Sequence, residues 1–416
     1  LKVAGFIANR IAFNQQRSFS RFIIRLSIVA TVISVAVMII TLAFANGFQE
    51  TVSQKVFSFW GHIRVQEKQS YRALIAEEIP LIKDEKLFNE IKKNPEVEAI
   101  HPFATKYGML KTKDEIEGVM IKGLDSTYNF DYIRRFIVDG RPIQFNDTSY
   151  SREIMLSAYT ASQLQLKVND RILIYFISVD TATGENKIRA NRLTISGIFK
   201  TGIEEYDRTF AIGDIKLIQK YYDWEASQVG GYEIFLKDHK KMDETAMGIY
   251  EMADFPATWD TQTAQDISPN IFDWLGMQDT TRNVLIVFMT IVAVINLITC
   301  LIILVLERVR MIGILKSLGA TDWTIQKIFL RHSVIIMSMG ILIGAALALG
   351  FLYLQKETGF IKLQEEAYYL SEAAVKIIWW QVAAICIGTL LVCLAVLMIP
   401  TILVRKIQPV QAIHFR

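Results

Sequence analysis

Four uncharged apolar runs, 26–45, 284–306, 334–354 and 377–399, constrain this chain more than any other feature. Each reaches the roughly 20 residues that an α-helix needs to cross a ~30 Å hydrocarbon layer at ~1.5 Å per residue. In hydrocarbon every backbone polar group must be satisfied within the segment, so runs of this kind are helices. With 52% hydrophobic and 21% charged residues, the chain is too apolar for a soluble protein and too charged for a helix bundle alone. A soluble domain attached to a few spans satisfies both figures. The first run is too long for a signal-peptide core, so no removable leader is expected.

The short segments between the runs set the orientation. Lys2, Arg10, Arg17, Arg21 and Arg25 precede the first run with no acidic residue. Arg308, Arg310, Lys316, Lys327 and Arg331 lie between the second and third, and Arg405, Lys406 and Arg416 follow the fourth. The segment between the third and fourth is slightly acidic, with Glu357, Glu365, Glu366 and Glu372 against Lys356, Lys362 and Lys376. By the positive-inside rule both termini are cytoplasmic and the long stretch between the first two runs is external. That stretch, 48–281, holds 28 basic and 36 acidic residues, a net charge of −8.

The expected organisation is a cytoplasmic interfacial helix (1–21), a first span (22–48), an extracytoplasmic domain with stalks (49–281), and a second span (282–306). A cytoplasmic loop (307–331), a third span (332–355), a short outer loop (356–376), a fourth span (377–400) and a cytoplasmic tail (401–416) complete it. The fold class is therefore a membrane protein with four transmembrane α-helices and a large mixed α+β domain between the first two. In that domain, helices are expected at about 85–94, 158–166 and 214–222. Strands are expected at 118–122, 171–179, 193–199 and 232–236, rich in Val, Ile, Tyr and Phe between Gly, Asp and Asn. Helical stalks should run over 49–59 and 273–281.

Signals for chemistry are missing. The sequence has no phosphate-binding G-x-x-x-x-G-K-[ST], no G-x-S-x-G, no H-E-x-x-H and no C-x-x-C. His62, His101, His239, His332 and His414 show no metal-ligand spacing, and Cys300, Cys386 and Cys393 all lie in apolar runs, so no disulfide staples the outer domain. No Asp, Glu, Lys or Arg sits mid-span, which argues against an ion-coupled carrier. Asn296, polar and mid-span, is expected to bond across helices. No catalytic residue, metal or nucleic acid partner is expected.

Three constellations remain. In the loop ERVRMIGILKSLGATDWTIQKIFLR, 307–318 is expected to continue the second helix. Gly319 should end it in a left-handed cap. Beyond Ala320, Thr321 should cap a new short helix over 322–330 with Asp322 in its first turn. That helix would present Trp323, Ile325, Ile328 and Phe329 either to the membrane surface or to a groove in a soluble partner. Gly340-x-x-x-Gly344 permits close helix approach, within the chain or between two chains. Finally, Asp180, Thr183, Gly184, Glu185 and Asn186 form a polar stretch between two strand-like runs, either a plain exposed turn or a docking element.

Several blocks of the sequence resemble a known family. ILKSLGATDWTIQKIFL and the closing PTILVRKIQPVQAIHF, with Pro400, Arg405, Pro409 and Ala412, are similar to the permease domain of MacB/FtsX-type ABC transporters. ANGFQE at 45–50, GHIRV at 61–65, HPFATKYGML, GVMIKGLD and SGIFKTGIEEYDRTFA at 196–211 resemble, within that superfamily, the lipoprotein-releasing permeases of LolC/LolE type. The resemblance covers nearly the whole chain. It implies a non-enzymatic membrane subunit in a bacterial inner membrane, driven by a separate cytoplasmic ATPase that binds the ATP and Mg. That ATPase would dock on 321–331, and a second permease chain, identical or paralogous, would complete the transmembrane part. The implied substrate is a lipoprotein drawn from membrane lipid and handed to a periplasmic carrier. Phe44, Phe48 and Val284 would line the acyl-chain entrance, and Asp180 to Asn186 would be the counterpart of a carrier-engaging hairpin. An exporter of another substrate, or a signalling subunit that controls a cell-wall hydrolase, are the other functions found in the superfamily.

Overall fold

A computed structural model describes residues 19–68, 79–146, 149–179 and 186–401. Four helices in it are long and apolar enough to cross a membrane: Phe19–Trp60, Pro269–Glu307, Asp322–Thr358 and Trp379–Thr401. The first three have 42, 39 and 37 residues. At ~1.5 Å per residue they are about 55–63 Å long, roughly twice the hydrocarbon thickness. The stalks expected at 49–59 and 273–281 are thus parts of the first and second helices. The interfacial helix expected at 1–21 lies almost wholly outside the described residues.

The chain divides into two compact units. One holds the spans: residues up to Gln49, Leu275–Lys362, and Glu372 onward. Its core is built from Val35, Met38, Ile39, Leu297, Leu301, Phe329, Met337, Ile341, Cys393 and Leu397, all buried. Between helices that pack in hydrocarbon, small residues let backbones approach. A Cβ on Gly340 would stand 2.8 Å from Thr31 Cβ, and one on Gly344 would stand 2.7 Å from Val32 O. These two glycines therefore face the first span of their own chain. Asn296 Nδ2 donates to Ser27 O at 3.1 Å, a bond across helices. At the other end of the first span, Lys376 N donates to Ala43 O at 3.1 Å, and Asn46 Nδ2 donates to Gln381 Oε1 at 2.5 Å.

The second unit is the insert domain, Glu50–Trp274 together with Leu363–Ser371. Its strands are β1 (Ile63–Glu67), β2 (Leu81–Ile82), β3 (Val97–Lys111), β4 (Ile116–Leu124), β5 (Ile137–Gly140) and β6 (Glu153–Ser157). They continue as β7 (Arg171–Val179), β8 (Asn186–Phe199), β9 (Phe210–Asp214), β10 (Gln228–Val229), β11 (Gly231–Leu236) and β12 (Trp259–Thr263). Ten of them form one sheet in the order β12-β1-β11-β3-β4-β9-β6-β8-β5, with β7 bridging β3 and β8. The pairings β3–β4–β9–β6–β8–β7 return to β3, so this part of the sheet closes on itself and removes most of its edges. Helices Glu85–Lys93, Ala158–Gln163 and Ile215–Tyr221 occupy the positions read from the sequence. Each starts on a side-chain cap: Asp84, Ser157 and Asp214 accept from the backbone of the first turn.

The aromatic core of this domain gathers around the end of the first helix. The Trp60 ring lies 4.9 Å from Phe210, and Phe59 stacks on Tyr206 at 5.1 Å. Gly61, at φ +72°, ends the helix, its N–H donating to Phe57 O at 2.8 Å. The last carbonyls of a helix have no partner within it and cannot stay bare when buried. Tyr128 Oη donates to Ser58 O at 3.4 Å and Lys122 Nζ to Phe59 O, and one turn earlier Arg135 Nη2 donates to Gln54 O at 2.8 Å on the exposed side. Lys122 also pairs with Glu233 Oε1 at 2.7 Å, and both side chains are fully buried.

Two histidines near this end tie stability to pH. His62 Nδ1 accepts from Leu236 N at 3.0 Å and its ring lies 4.4 Å from Phe57. Burial, reinforced by neighbouring His239, pushes its pKa down to about 4 from the usual 6.5. Burial likewise lowers that of His101. A lowered folded pKa means that the unfolded chain binds the proton first as pH falls. The stabilisation is complete above 6.5 and is lost as pH drops from there towards 4. Thermal unfolding of the detergent-solubilised chain should show a falling Tm across that window. His62→Gln should flatten the profile; an unchanged slope would refute the assignment.

Candidate functional site

The loop between the second and third spans is built from two helix ends. The second-span helix stops at Glu307 and breaks at Arg308 (φ −105°, ψ 17°), and a separate helix, Val309–Ser317, follows. The sequence expectation of one continuous helix through 318 is therefore corrected. Gly319, at φ +88°, closes that second helix: its N–H donates to Lys316 O at 3.0 Å, and Ala320 N donates to Leu315 O at 2.9 Å. This is the paired-bond cap that only a residue free to take positive φ makes cheaply.

Thr321 then caps the next helix through Thr324 N, with Asp322 in the first turn, where a carboxylate opposes the positive end of the helix dipole. Asp322 Oδ1 also pairs with Lys316 Nζ at 2.9 Å, drawing the two helix ends together. The helix does not stop near residue 330. It runs unbroken to Thr358, because no glycine or proline interrupts 322–339. The supposed short coupling helix is the first three turns of the third span.

Orientation is the larger correction. Ile325, Ile328 and Phe329 are 0%, 3% and 1% exposed and pack in the helix core, so they present nothing to a partner. Trp323 is 56% exposed, and Lys327 Nζ sits 5.1 Å above its ring. Leu318 and Ile314, which sequence reasoning missed, are 78% and 46% exposed. Their signal was available: both precede the Gly319 cap on a short amphipathic turn. The outward face of this loop is therefore Ile314, Leu318, Gly319 and Trp323 with basic Lys327 beside them. It contains apolar anchors and no catalytic constellation.

Of the other residues singled out, Val284 is 47% exposed. Phe44 is half buried, its ring edge-on to Phe351 at 6.5 Å, and Phe48 is half buried too. Phe44 thus packs against Phe351 of the third span. Asp180, Thr183, Gly184 and Glu185 lie outside the described residues, and Asn186 begins β8. The two strands that flank it in sequence, β7 and β8, pair in register from Arg171↔Thr194 to Val179↔Asn186. Among the described residues no group of His, Cys, Asp and Glu could hold a metal ion.

Residues 26–249 match the MacB-like periplasmic core domain, and residues 283–409 match the FtsX-like permease C-terminal domain. The first match spans more than half of the chain. The chain belongs to this family of MacB-like, FtsX-like permeases. Curated relatives resemble this permease over nearly its whole length. The lipoprotein-releasing system transmembrane protein LolE of Haemophilus influenzae is 20% identical, with 96% of each chain covered. LolC of Xylella fastidiosa is 21% identical and LolC of Neisseria meningitidis serogroup B 20% identical, again with 96% of each chain covered. The permease is thus a multi-pass membrane protein of LolC/LolE type, with a mixed α/β domain of periplasmic type between its first two spans.

Proposed function

We propose that this permease is the transmembrane subunit of an ATP-driven system that releases lipoproteins from a bacterial inner membrane to a periplasmic carrier. The observation that carries the reading is the similarity to LolC and LolE proteins over 96% of the chain, spans and insert domain alike. A separate cytoplasmic ATPase, holding ATP and Mg, binds the outward face of the loop between the second and third spans. Its apolar anchors beside Lys327 suit a groove with an acidic rim. Both termini are cytoplasmic, following the basic residues, and the insert domain is periplasmic. A second permease chain, identical or paralogous, completes the complex in the lipid. The polar stretch from Asp180 to Asn186 engages the carrier.

The test is ATP-dependent release of a labelled lipoprotein from proteoliposomes that hold the permease and its ATPase, with carrier added. Release supports the reading. ATPase binding without release would favour another substrate or a signalling role. Within the same preparation, Trp323→Asp is expected to cut co-purification of the ATPase at least tenfold and leave the fold intact. Gly319→Pro is expected to weaken association as strongly by breaking the loop's helix cap, since a proline ring holds φ near −65° and cannot take +88°. Undiminished ATPase association in both variants would exclude this face as the docking site.

A further inference from the structure

The segment between the third and fourth spans has a role of its own. Gln355 closes it into a hairpin: its Oε1 accepts from Ile361 N at 3.0 Å and its Nε2 donates to Ala373 O at 3.1 Å. Higher in the hairpin, Leu363 N donates to Ser371 O at 2.9 Å. The tip, Leu363–Ser371, belongs by its contacts to the insert domain, although the chain on either side belongs to the spans.

The tip is anchored at several points. Lys200 Nζ pairs with Glu365 Oε2 at 2.5 Å. Lys55 Nζ donates to Tyr369 O at 2.6 Å. The Tyr369 ring sits edge-on to Trp274 at 5.5 Å, and Leu370 is buried. Gly202 makes the notch that receives this tip. Its φ is +75°, and a Cβ there would collide with Glu365 Oε1 and stand 2.6 Å from Lys55 Nζ. Buried Asp207 holds the notch in shape, accepting from Thr201 N at 2.8 Å, Thr201 Oγ1 at 2.8 Å and Gly202 N at 2.9 Å. The block from Lys200 to Asp207 is thus a receptor for a tip that lies more than 150 residues away in the chain.

We propose that Leu363–Ser371 is a permanent strap. It makes the hairpin of the third and fourth spans a third chain connection of the insert domain, beside the first and second helices. Lys55, Lys200 and Gly202 are positioning residues for it, and the strap must stay seated for ATP hydrolysis to drive release. This rests on the transport reading. A half-exposed pair such as Lys200–Glu365 contributes little alone. Neutralising it is therefore a weak test, and reversing a charge beside Lys55 and Lys200 is a strong one.

The experiment uses the full chain with its ATPase in proteoliposomes. Glu365→Lys is expected to keep ATPase activity and lose lipoprotein release at least tenfold. Adding Lys200→Glu should recover most of the release, which a general loss of folding would not allow. Cysteines placed at 200 and 365 and joined by a short bismaleimide should leave release intact, with each single cysteine as control. Seating is read separately, by chymotryptic cleavage at Tyr368 and Tyr369 within the strap: slow in the parent, faster in Glu365→Lys, slow again in the swap. Normal release by Glu365→Lys, no recovery in the swap, or arrest by the crosslink would each overturn the strap. A parent that releases no lipoprotein, yet shows this cleavage pattern, would remove the transport reading and leave the seating in place.

Discussion

Glu233→Ala is expected to destabilise the insert domain by about 3–5 kcal/mol, the largest effect of any single substitution considered for it. Glu233 and Lys122 are both fully buried and 2.7 Å apart. Removing the carboxylate strands an ammonium among the rings of Phe59 and Trp60, each 4.9 Å from Nζ. The cation–π attraction of those rings, ~2 kcal/mol at most when desolvated, does not replace the lost partner. Lys122 keeps its bond to Phe59 O, the carbonyl end of the first helix, but a neutral carbonyl does not balance its charge. At roughly 2–4 °C per kcal/mol for a domain of this size, the thermal midpoint should fall by about 6–20 °C. Tryptophan fluorescence is a direct reporter, since Trp60 lies in the same cluster. The double variant Lys122→Met, Glu233→Leu should recover part of the loss, because a buried pair replaced by apolar groups is often close to neutral. It should not recover all of it, because the Phe59 carbonyl then has no lysine. A Glu233→Ala midpoint within 2 °C of the parent would show that the pair carries no structural weight.

Gly47→Leu is expected to cost about 3 kcal/mol in the membrane-helix unit, the upper end for overpacking. A Cβ at Gly47 would meet Ala374 O, stand 2.6 Å from Ala374 C and 2.8 Å from Lys376 N. All three are backbone atoms, so no side chain can swing aside. The contact is held in place by two neighbouring bonds, Lys376 N on Ala43 O and Asn46 on Gln381. Alanine at 47 separates two opposing effects. Mid-helix, Gly→Ala gains up to ~1 kcal/mol from propensity. Here the backbone contact should outweigh that gain, so the expected order of thermal midpoints is parent, then Ala, then Leu. An alanine variant more stable than the parent would mean that propensity wins and the close approach is not made.

Both sites bear on how much of this protein can be read from sequence. The Asn46-Gly47-Phe48 block stood out by resemblance, but its role is visible only once the fourth span lies against it. Gly319, Thr321 and Asp322 were legible because capping is local: positive φ, a hydroxyl and an early carboxylate act within one turn. Trp323, Ile325, Ile328 and Phe329 had the right amphipathic spacing. Spacing alone cannot say whether an apolar face meets a partner or its own core, and three of the four turned inward. Strand β3 is not among the strands expected from the sequence; it contains Pro102 and Gly108, residue types disfavoured inside strands, yet the ladder to β4 and β11 runs across both.

The sequence by itself determined the four spans, the mixed domain between the first two, and the helix caps. Each of these depends on a count or a pattern within about 20 contiguous residues. Only the tertiary structure decided the closed ladder from β3 round to β7, the burial of Lys122 against Glu233, and the seating of Glu365 beside Lys200. The two charged pairs lie more than 100 residues apart in sequence, and the ladder joins β3 to a strand more than 60 residues away. A lone lysine or glutamate reads as solvated surface until the fold removes the water around it and supplies the opposite charge.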